Sequence, residues 1–270
     1  MSAPILEVTD LVVRFGSGKS QTTVIAGVSF DLHEGETLSM VGESGSGKTT
    51  IGRAILGLAP VSEGRIAFRG TEIHAASRRE RRRTARDIQV VFQDPYSSLN
   101  PAMRVGDILV EPLAAAGISD GRERVGKLLD AVGLPSDAAD RYPREFSGGQ
   151  RQRVAIARAL ALEPSVIVCD EPTSALDVTT QARILQLFKD IQEATGVAYL
   201  FISHDLGVVH HISVRIAVLY RGEIVELGDA QQVATAPDHP YTRKLQMAAP
   251  VADPALQRAR REARLAALAL

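Results

Sequence analysis

The sequence contains one cysteine in 270 residues, and its 31 lysines and arginines nearly balance its 32 aspartates and glutamates. The single cysteine, Cys169, excludes an internal disulfide and a multi-cysteine metal or iron–sulfur cluster within the chain. The net charge of −1 at neutral pH provides no overall attraction for nucleic acid. A composition of 45% hydrophobic and 23% charged residues is ordinary for a globular protein.

The sequence also lacks long apolar runs. The longest, at residues 165–169 and 265–270, have the length of a strand or a tail, whereas a membrane span needs about 20 apolar residues. The N-terminus carries no basic stretch followed by an apolar signal segment. If the protein works at a membrane, we expect other chains to supply the spans. The length allows one large α/β domain with a smaller subdomain.

A glycine-rich stretch follows a predicted strand at residues 36–41 and precedes a helical pattern with Ile51, Ile55 and Leu58 on one face. It fits G-x-x-x-x-G-K-[ST], a loop whose successive backbone N–H groups face a phosphate. The following helix N-terminus adds partial positive charge at the same place. This context distinguishes the stretch from a chance match. We call it the glycine loop, and its residues are Gly42, Glu43, Ser44, Gly45, Ser46, Gly47, Lys48 and Thr49.

A second Gly-Lys-Ser sequence, at residues 18–20, does not meet the same requirements. The pattern needs glycine at position 13, where the chain has Val13. The following residues, 22–32, are rich in β-forming side chains and begin no helix. This stretch therefore predicts a turn between two strands, within a β region that covers residues 5–32.

The rest of the chain alternates strand-like and helical segments, which predicts a parallel sheet with crossover helices. Strand-like runs lie at 65–68, 88–92, 166–169, 197–203 and 214–220. Leucine-, alanine- and arginine-rich sequence predicts a helical insertion at about 97–160. The predicted fold class is α/β, with a mostly parallel sheet, an N-terminal antiparallel β subdomain and the helical insertion. A further helix is predicted at 256–270.

A run of charged residues between 78 and 86 has two interpretations. It is the solvated face of a helix, which we favour, or a contact for lipid headgroups or nucleic acid. The run consists of Arg78, Arg79, Glu80, Arg81, Arg82, Arg83 and Arg86.

Carboxylates and a histidine follow two of the apolar strands. Asp170 and Glu171 come directly after the strand at 166–169, where functional groups of open α/β sheets lie. Phosphoryl transfer needs a cation on the β- and γ-phosphates and a group that orients the attacking water. Thr49 and Asp170 suit Mg²⁺, and Glu171 suits the base or water-positioning role. His204, after the strand at 198–203, either donates a hydrogen bond to a γ-phosphate oxygen or is structural.

Taken together, these motifs resemble the nucleotide-binding subunits of ABC transporters over nearly the whole chain. The glycine loop resembles the Walker A motif, and residues 166–171 resemble the Walker B strand. Phe146 stands where the family's signature usually has leucine. The other matching positions are the signature residues Ser147, Gly148, Gly149 and Gln150, the D-loop residue Asp177, the Q-loop residue Gln93, the switch residue His204 and the adenine-stacking position Phe15. Phe15 has a second interpretation as a core residue.

The resemblance implies a P-loop NTPase core of the ABC ATPase type, with ATP and Mg²⁺ as cofactors. It implies that two subunits form a head-to-tail dimer in which the glycine loop of one faces the signature of the other across ATP. Ser147 and the N–H groups of Gly148 and Gly149 begin a helix and so provide a second anion site. The implied catalytic residues are Glu171, His204, Gln93 and Lys48. The implied metal ligands are Thr49, Gln93 and Asp170. The implied nucleotide contacts are the glycine loop, Thr50, the signature, Asp177 and Phe15.

Two further stretches resemble the peptide and nickel importer branch of the family. They are residues 92–101 and the sequence His239, Pro240, Tyr241 and Thr242. The resemblance implies an ATPase domain at 1–236 and a C-terminal extension at 237–270. It also implies a second ATPase subunit of the same or a paralogous chain, two transmembrane permeases and, indirectly, an extracytoplasmic solute-binding protein. The implied location is the cytoplasmic face of the inner membrane. Some members carry an iron–sulfur cluster in this extension; without cysteines there, we expect none.

Two other classes of protein share some of these motifs. A soluble ABC-type ATPase of DNA repair or translation usually has a long coiled-coil insertion or two cassettes in one chain, and neither pattern is present here. A P-loop kinase or GTPase would leave residues 147–150 and His204 without a role. We therefore expect an importer ATPase and no nucleic-acid partner. The sequence leaves the transported solute open, because this subunit does not touch the cargo.

Overall fold

The computed structural model describes residues 3–248. The strands are β1 (Leu6–Phe15), β2 (Thr22–Leu32), β3 (Thr37–Val41), β4 (Glu63–Phe68), β5 (Thr71–Glu72), β6 (Ile88–Val91), β7 (Val166–Asp170), β8 (Ala198–Ser203), β9 (Arg215–Tyr220) and β10 (Glu223–Asp229). The helices are α1 (Lys48–Ile55), α2 (Arg78–Asp87), α3 (Pro95–Ser98), α4 (Val105–Ala115), α5 (Gly121–Ala131), α6 (Gly148–Leu160), α7 (Val178–Thr195), α8 (Leu206–His210), α9 (Ala230–Thr235) and α10 (Pro240–Ala248). The helix predicted at 256–270 lies outside the described residues.

The strands form two sheets. Four strands make an antiparallel sheet in the order β2-β1-β4-β5, and six make a second sheet in the order β10-β9-β3-β8-β7-β6. In the second sheet all neighbours are parallel except β10, which pairs antiparallel with β9 at the edge. The predicted α/β fold is therefore confirmed. The antiparallel sheet is not purely N-terminal, because β4 and β5 follow α1 in the chain and then pair beside β1.

The parallel strands are buried on both faces, which is why their sequences are continuously apolar. Along β7, Val166 and Val168 pack in the core shared with the antiparallel sheet and α1. Ile167 and Cys169 pack in the opposite core, beneath α6 and α7. Burial raises the pKa of Cys169 well above its usual range, so its thiol stays protonated and behaves as an apolar side chain.

Helices α3–α6 form the helical insertion. Helices α4, α5 and α6 pack against one another and bury Leu109, Leu129 and Val154. The turn predicted at residues 18–20 is confirmed as a short 3₁₀ turn between β1 and β2. In the described part of the chain, no helix combines the length and hydropathy that a bilayer crossing requires.

The charged run forms α2, which begins with a capping box between Ser77 and Glu80. Arg79, Arg82 and Arg83 are exposed, as the interpretation as a solvated helical face predicts. Arg81 instead donates to the carbonyl oxygens of Gly57 (2.9 Å) and Ala76 (3.0 Å) and ties α2 to the end of α1.

Candidate functional site

Four segments leave the parallel sheet at the same edge. The register pairs Val41 of β3 with Ser203 of β8, and Val91 of β6 with Cys169 of β7. The carboxyl ends of these strands therefore lie side by side, where open α/β sheets place their functional groups. The residues that follow these ends are the glycine loop, Gln93, Glu171 and His204.

The glycine loop curls because three of its positions require glycine. Gly45 and Gly47 have φ values of 81° and 110°, which side-chain-bearing residues rarely adopt. A Cβ atom on Gly47 would overlap Ile25, and one on Gly42 would overlap the carbonyl oxygen of Leu219. Gly47 also caps α1 without a side-chain hydrogen bond, and the first turn of α1 holds no acidic residue. The first N–H groups of α1 are therefore left for an external anion.

Lys48 is buried and folds back over the glycine loop. Its ammonium donates to the carbonyl oxygens of Gly42 (2.7 Å) and Glu43 (2.9 Å). Burial lowers the pKa of Lys48, and the nearby charges of Glu171 and Asp170 act in the opposite direction. The side chain is thus a positive charge held at the loop, where it would offset the charge of a bound phosphate.

Thr49 and Asp170 provide adjacent oxygen atoms. The Thr49 hydroxyl donates to a carboxylate oxygen of Asp170 at 2.8 Å. Burial raises the pKa of Asp170, and the Thr49 hydrogen bond partly counteracts this effect. A hydroxyl and a carboxylate beside a phosphate-binding loop are the ligand types that Mg²⁺ takes in nucleotide sites. These residues therefore fit the predicted ion.

Glu171 lies at the centre of a polar cluster. Its carboxylate accepts a hydrogen bond from the Gln93 amide at 3.2 Å and lies 3.1 Å from His204 Nδ1. The backbone of Glu171 has a φ of 48°, a strained value for a residue other than glycine. Its N–H donates to the carbonyl oxygen of Ile202 at 2.9 Å. Strained backbone held by its surroundings is frequent at functional sites.

Ser174 joins this cluster; it is the first residue of the stretch 174–177 that resembles the D-loop, but the sequence assigns it no contact with Gln93 or Glu171. Its hydroxyl donates to the Glu171 carbonyl oxygen at 3.1 Å and accepts from the Gln93 amide at 3.3 Å. The signal in the sequence is its position three residues after Glu171, within a tight turn. Ser174 thus orients Gln93 and Glu171 at the same time.

A polar cavity of about 330 Å³ opens in front of these groups. It is lined by Val24, Ser44, Gly45, Gly47, Lys48, Thr49, Thr50, Gln93 and Glu171. A smaller cavity of about 150 Å³ adjoins it on the other side of Glu171 and reaches His204 and Ser174. The structure therefore brings most of the predicted glycine-loop, metal and catalytic residues to one opening.

A comparison with models of known families agrees with the site described above. The family model described as ABC transporter matches residues 25–174, more than half of the chain. The chain belongs to the ABC transporter family. Two curated relatives are the glutathione import ATP-binding proteins GsiA of Salmonella paratyphi A (strain ATCC 9150 / SARB42) and Escherichia coli O157:H7, each 52% identical over 268 residues. The alignments cover 96% of this chain but only 43% of each relative. The chain thus spans less than half the length of these relatives.

Solved structures of the family share the fold. A dimeric ATP-binding cassette, MJ0796, in a post-hydrolysis state bound to ADP and Pi, matches with a TM-score of 0.74 at 30% identity over 83% of this chain and 98% of that chain. Another, cbiO1 from Clostridium perfringens, part of the ABC transporter complex cbiONQ, matches with a TM-score of 0.76 at 28% identity, over 86% and 91% of the two chains. The fold is therefore that of ABC ATPase cassettes.

Some predicted contacts of this ABC cassette do not line the cavity of the single chain. Ser147 caps α6 and forms a capping box with Gln150, at 2.9 and 3.3 Å. Asp177 caps α7 by accepting from the N–H and hydroxyl of Thr180. Phe15 is 43% exposed at the end of β1. The nucleotide contacts predicted for the signature residues 147–150, Asp177 and Phe15 stay predictions.

Three glycine-loop residues are not among those that line the cavity. The N–H of Glu43 donates to the hydroxyl of Tyr241 at 3.0 Å. The Ser46 hydroxyl is buried without a hydrogen-bond partner among residues 3–248. Gly42 supplies a carbonyl oxygen to Lys48. These three positions shape the glycine loop rather than line the cavity.

Proposed function

We propose that this ABC cassette binds and hydrolyses ATP and so powers an importer of peptides or of a related small solute, with glutathione as the first candidate. The observation that carries the proposal is the contact of Glu171 with Gln93 and His204 beside the glycine-loop cavity. The solute class is supported by curated relatives named as glutathione import ATP-binding proteins.

In this proposal the glycine loop holds the phosphates of ATP. The N–H groups at the start of α1 point to them, and Lys48 offsets the charge of the β- and γ-phosphates. Thr49 and Asp170 would hold Mg²⁺, with Gln93 as a further ligand. When bound, the ion would neutralise charge that develops on the phosphates during transfer.

Glu171 orients the attacking water and accepts its proton. Its carboxylate is positioned by Gln93 and by the strained backbone at φ 48°. His204, which lies 3.1 Å from the same carboxylate and lines the adjoining smaller cavity, donates a hydrogen bond to the γ-phosphate. The water oxygen bonds to the γ-phosphorus while the bond from that phosphorus to the β–γ bridging oxygen breaks. ADP leaves with the bridging oxygen, inorganic phosphate forms, and the water proton passes to Glu171.

A second subunit, identical or paralogous, completes each site in the proposed head-to-tail dimer. Its α6 begins at Gly148, and the N-terminus of this helix, capped by Ser147, offers a second anion site to the γ-phosphate. ATP then favours the closed dimer because its γ-phosphate contacts both subunits, and hydrolysis removes that difference in affinity. A dimeric structure of the related cassette MJ0796 supports the pairing of two subunits.

We further propose that the ATPase lies at the cytoplasmic face of the cell membrane and binds two transmembrane permease chains there. An extracytoplasmic solute-binding protein acts indirectly, through the permeases. This part of the proposal is supported by family membership and by the import named for the curated relatives. Co-purification with a multi-span membrane protein in mild detergent, followed by transport of glutathione and dipeptides in proteoliposomes, tests it. A chain that instead co-purifies with ribosomes or DNA repair factors would contradict it.

The substitution Glu171→Gln tests the catalytic role. The amide keeps the size of the side chain but cannot accept the water proton at neutral pH, so we expect hydrolysis to fall by at least about 100-fold. ATP binding should be retained, and an ATP-bound dimer should accumulate. Glu193→Gln, on the exposed face of α7, is the matched control. Turnover by Glu171→Gln at the parent rate would reject the assignment.

A further inference from the structure

The segment that leads into α10 is fixed to the edge of the six-stranded sheet. The two carboxylate oxygens of Glu226, on β10, accept from the N–H groups of Asp238 (2.8 Å) and His239 (3.1 Å). Arg243 closes the turn by donating to the carbonyl oxygens of Pro237 (3.0 Å) and Asp238 (2.9 Å). The start of α10 therefore has a defined position relative to the sheet.

Tyr241, in the first turn of α10, points from this segment into the protein. It is 8% exposed, and its ring packs against Tyr220 at the end of β9, with 4.1 Å between the centroids. Strand β9 is the neighbour of β3, which runs into the glycine loop. Burial raises the pKa of Tyr241, so the phenol is neutral at physiological pH.

The Tyr241 hydroxyl reaches the glycine loop from outside the cavity. It accepts the N–H of Glu43 at 3.0 Å, and Tyr241 is not among the residues that line the cavity. The carbonyl oxygen of Glu43 accepts a hydrogen bond from the Lys48 ammonium at 2.9 Å. Glu43 is therefore held on both sides, by a side chain of the C-terminal segment and by the lysine of the loop itself.

The far end of the loop has a separate attachment. The carbonyl oxygen of Ser46 accepts from the N–H of Gly222, in the turn between β9 and β10, at 3.1 Å. Glu226 follows in β10 and fixes the segment that carries Tyr241. The turn and the C-terminal segment thus support the glycine loop at two separate points.

We propose that Tyr241 is a positioning residue for the glycine loop, whose hydroxyl holds Glu43 in the conformation that binds nucleotide and so couples the segment 238–248 to ATP affinity. The inference rests on the proposed role of the glycine loop as the ATP phosphate site. A loop that spends less time in its binding conformation has a proportionally weaker apparent affinity. Losing one neutral hydrogen bond in the nucleotide-free protein lowers the population of the binding conformation relative to the other loop conformations by about fivefold.

Tyr241→Phe removes only the hydroxyl and keeps the ring contact. We expect the dissociation constant and the KM for ATP to rise about fivefold in the full-length chain, while kcat changes less than twofold. Tyr220→Phe is the matched control. It removes the other hydroxyl of the ring pair, which makes no hydrogen bond to the glycine loop in the described residues, and it should leave the ATP affinity within twofold of the parent.

The melting temperature, measured with and without saturating ATP, separates positioning from simple stabilisation. A merely structural role lowers both melting temperatures equally and leaves the affinity unchanged, and that result would overturn the proposal. If Tyr241→Phe does not fold, Glu226→Gln decides the question. We expect Glu226→Gln to weaken ATP affinity at least twofold, and an unchanged affinity would refute the coupling.

Lys48→Ala separates failure of this inference from failure of the proposed function. If Lys48→Ala binds ATP as the parent does, the glycine loop is not the phosphate site and both proposals fall. If Lys48→Ala loses ATP binding while Tyr241→Phe behaves as the parent, only the positioning role of Tyr241 is wrong.

Discussion

Gly47 is the position where the structure gives the sharpest mutational expectation. Its φ of 110° is unfavourable for alanine, at a cost of about 1–2 kcal/mol. A Cβ atom would also lie 2.4 Å from Cδ1 of Ile25, which is fully buried, and 3.2 Å from the backbone carbonyl oxygen of Val24. Overpacking of this kind costs about 1–3 kcal/mol. The two effects together predict that Gly47→Ala lowers the free energy of unfolding by about 2–5 kcal/mol.

Gly70→Ala is the matched control for the backbone term. Gly70 has a φ of 75°, in the turn between β4 and β5, and a Cβ atom there meets nothing within 4 Å. We therefore expect a loss of only about 1–2 kcal/mol. Equilibrium unfolding in urea compares the two variants, because similar slopes make their midpoints comparable.

The result that would refute this reasoning is a Gly47→Ala variant no less stable than Gly70→Ala. It would mean that the contact with Ile25 relaxes without cost. We also expect Gly47→Ala to weaken ATP binding at least about tenfold, because the strained loop would no longer present its N–H groups together. Gly70→Ala should bind ATP as the parent does.

Two further predictions concern Asp170 and Ser147. Because burial raises the pKa of Asp170, its ionised form costs stability in the nucleotide-free protein. Asp170→Asn should therefore raise the melting temperature at pH 7 but weaken Mg²⁺-dependent ATP binding. The gain in melting temperature should vanish at a pH below the usual carboxyl range, where Asp170 of the parent is protonated in both the folded and the unfolded state. A lower melting temperature for Asp170→Asn at pH 7 would contradict this. Ser147→Arg should abolish ATP-dependent dimerisation in sedimentation experiments yet spare nucleotide binding by the single chain, with Ser136→Arg on an exposed 3₁₀ turn as the control. Equal dimerisation of Ser147→Arg and the control would argue against the second anion site.

Local sequence patterns were sufficient for the elements that build the site. The glycines of residues 42–47, the apolar run of β7 and the carboxylates after it all follow from chemistry within a few residues. The parallel sheet then brings Gln93, Glu171 and His204 together, because the carboxyl ends of parallel strands share an edge. For this reason, Glu171 and His204 could be assigned to one site before the fold was known, whereas Gln93 was assigned by its resemblance to the Q-loop glutamine.

Pairings between distant segments could not be predicted in the same way. Strand β10 lies antiparallel at the edge of a parallel sheet, and β4 and β5 join the antiparallel sheet, although nothing in their own residues specifies a neighbour. The sequence placed Ser174 in the stretch that resembles the D-loop, but the hydrogen bond that its hydroxyl accepts from Gln93 depends on the folded turn. Strand partners and hydrogen bonds of this kind depend on which buried faces meet, and periodicity does not encode that choice.

Residue types at short fixed spacings were enough to identify the glycine loop, the strand-end carboxylates and the family resemblance. The hydrogen bond by which Tyr241 supports Glu43 joins residues separated by 198 positions, and it is visible only in the folded chain. Every residue except proline carries the same backbone N–H, so the partner of that group is set by how the chain packs and not by the residue type.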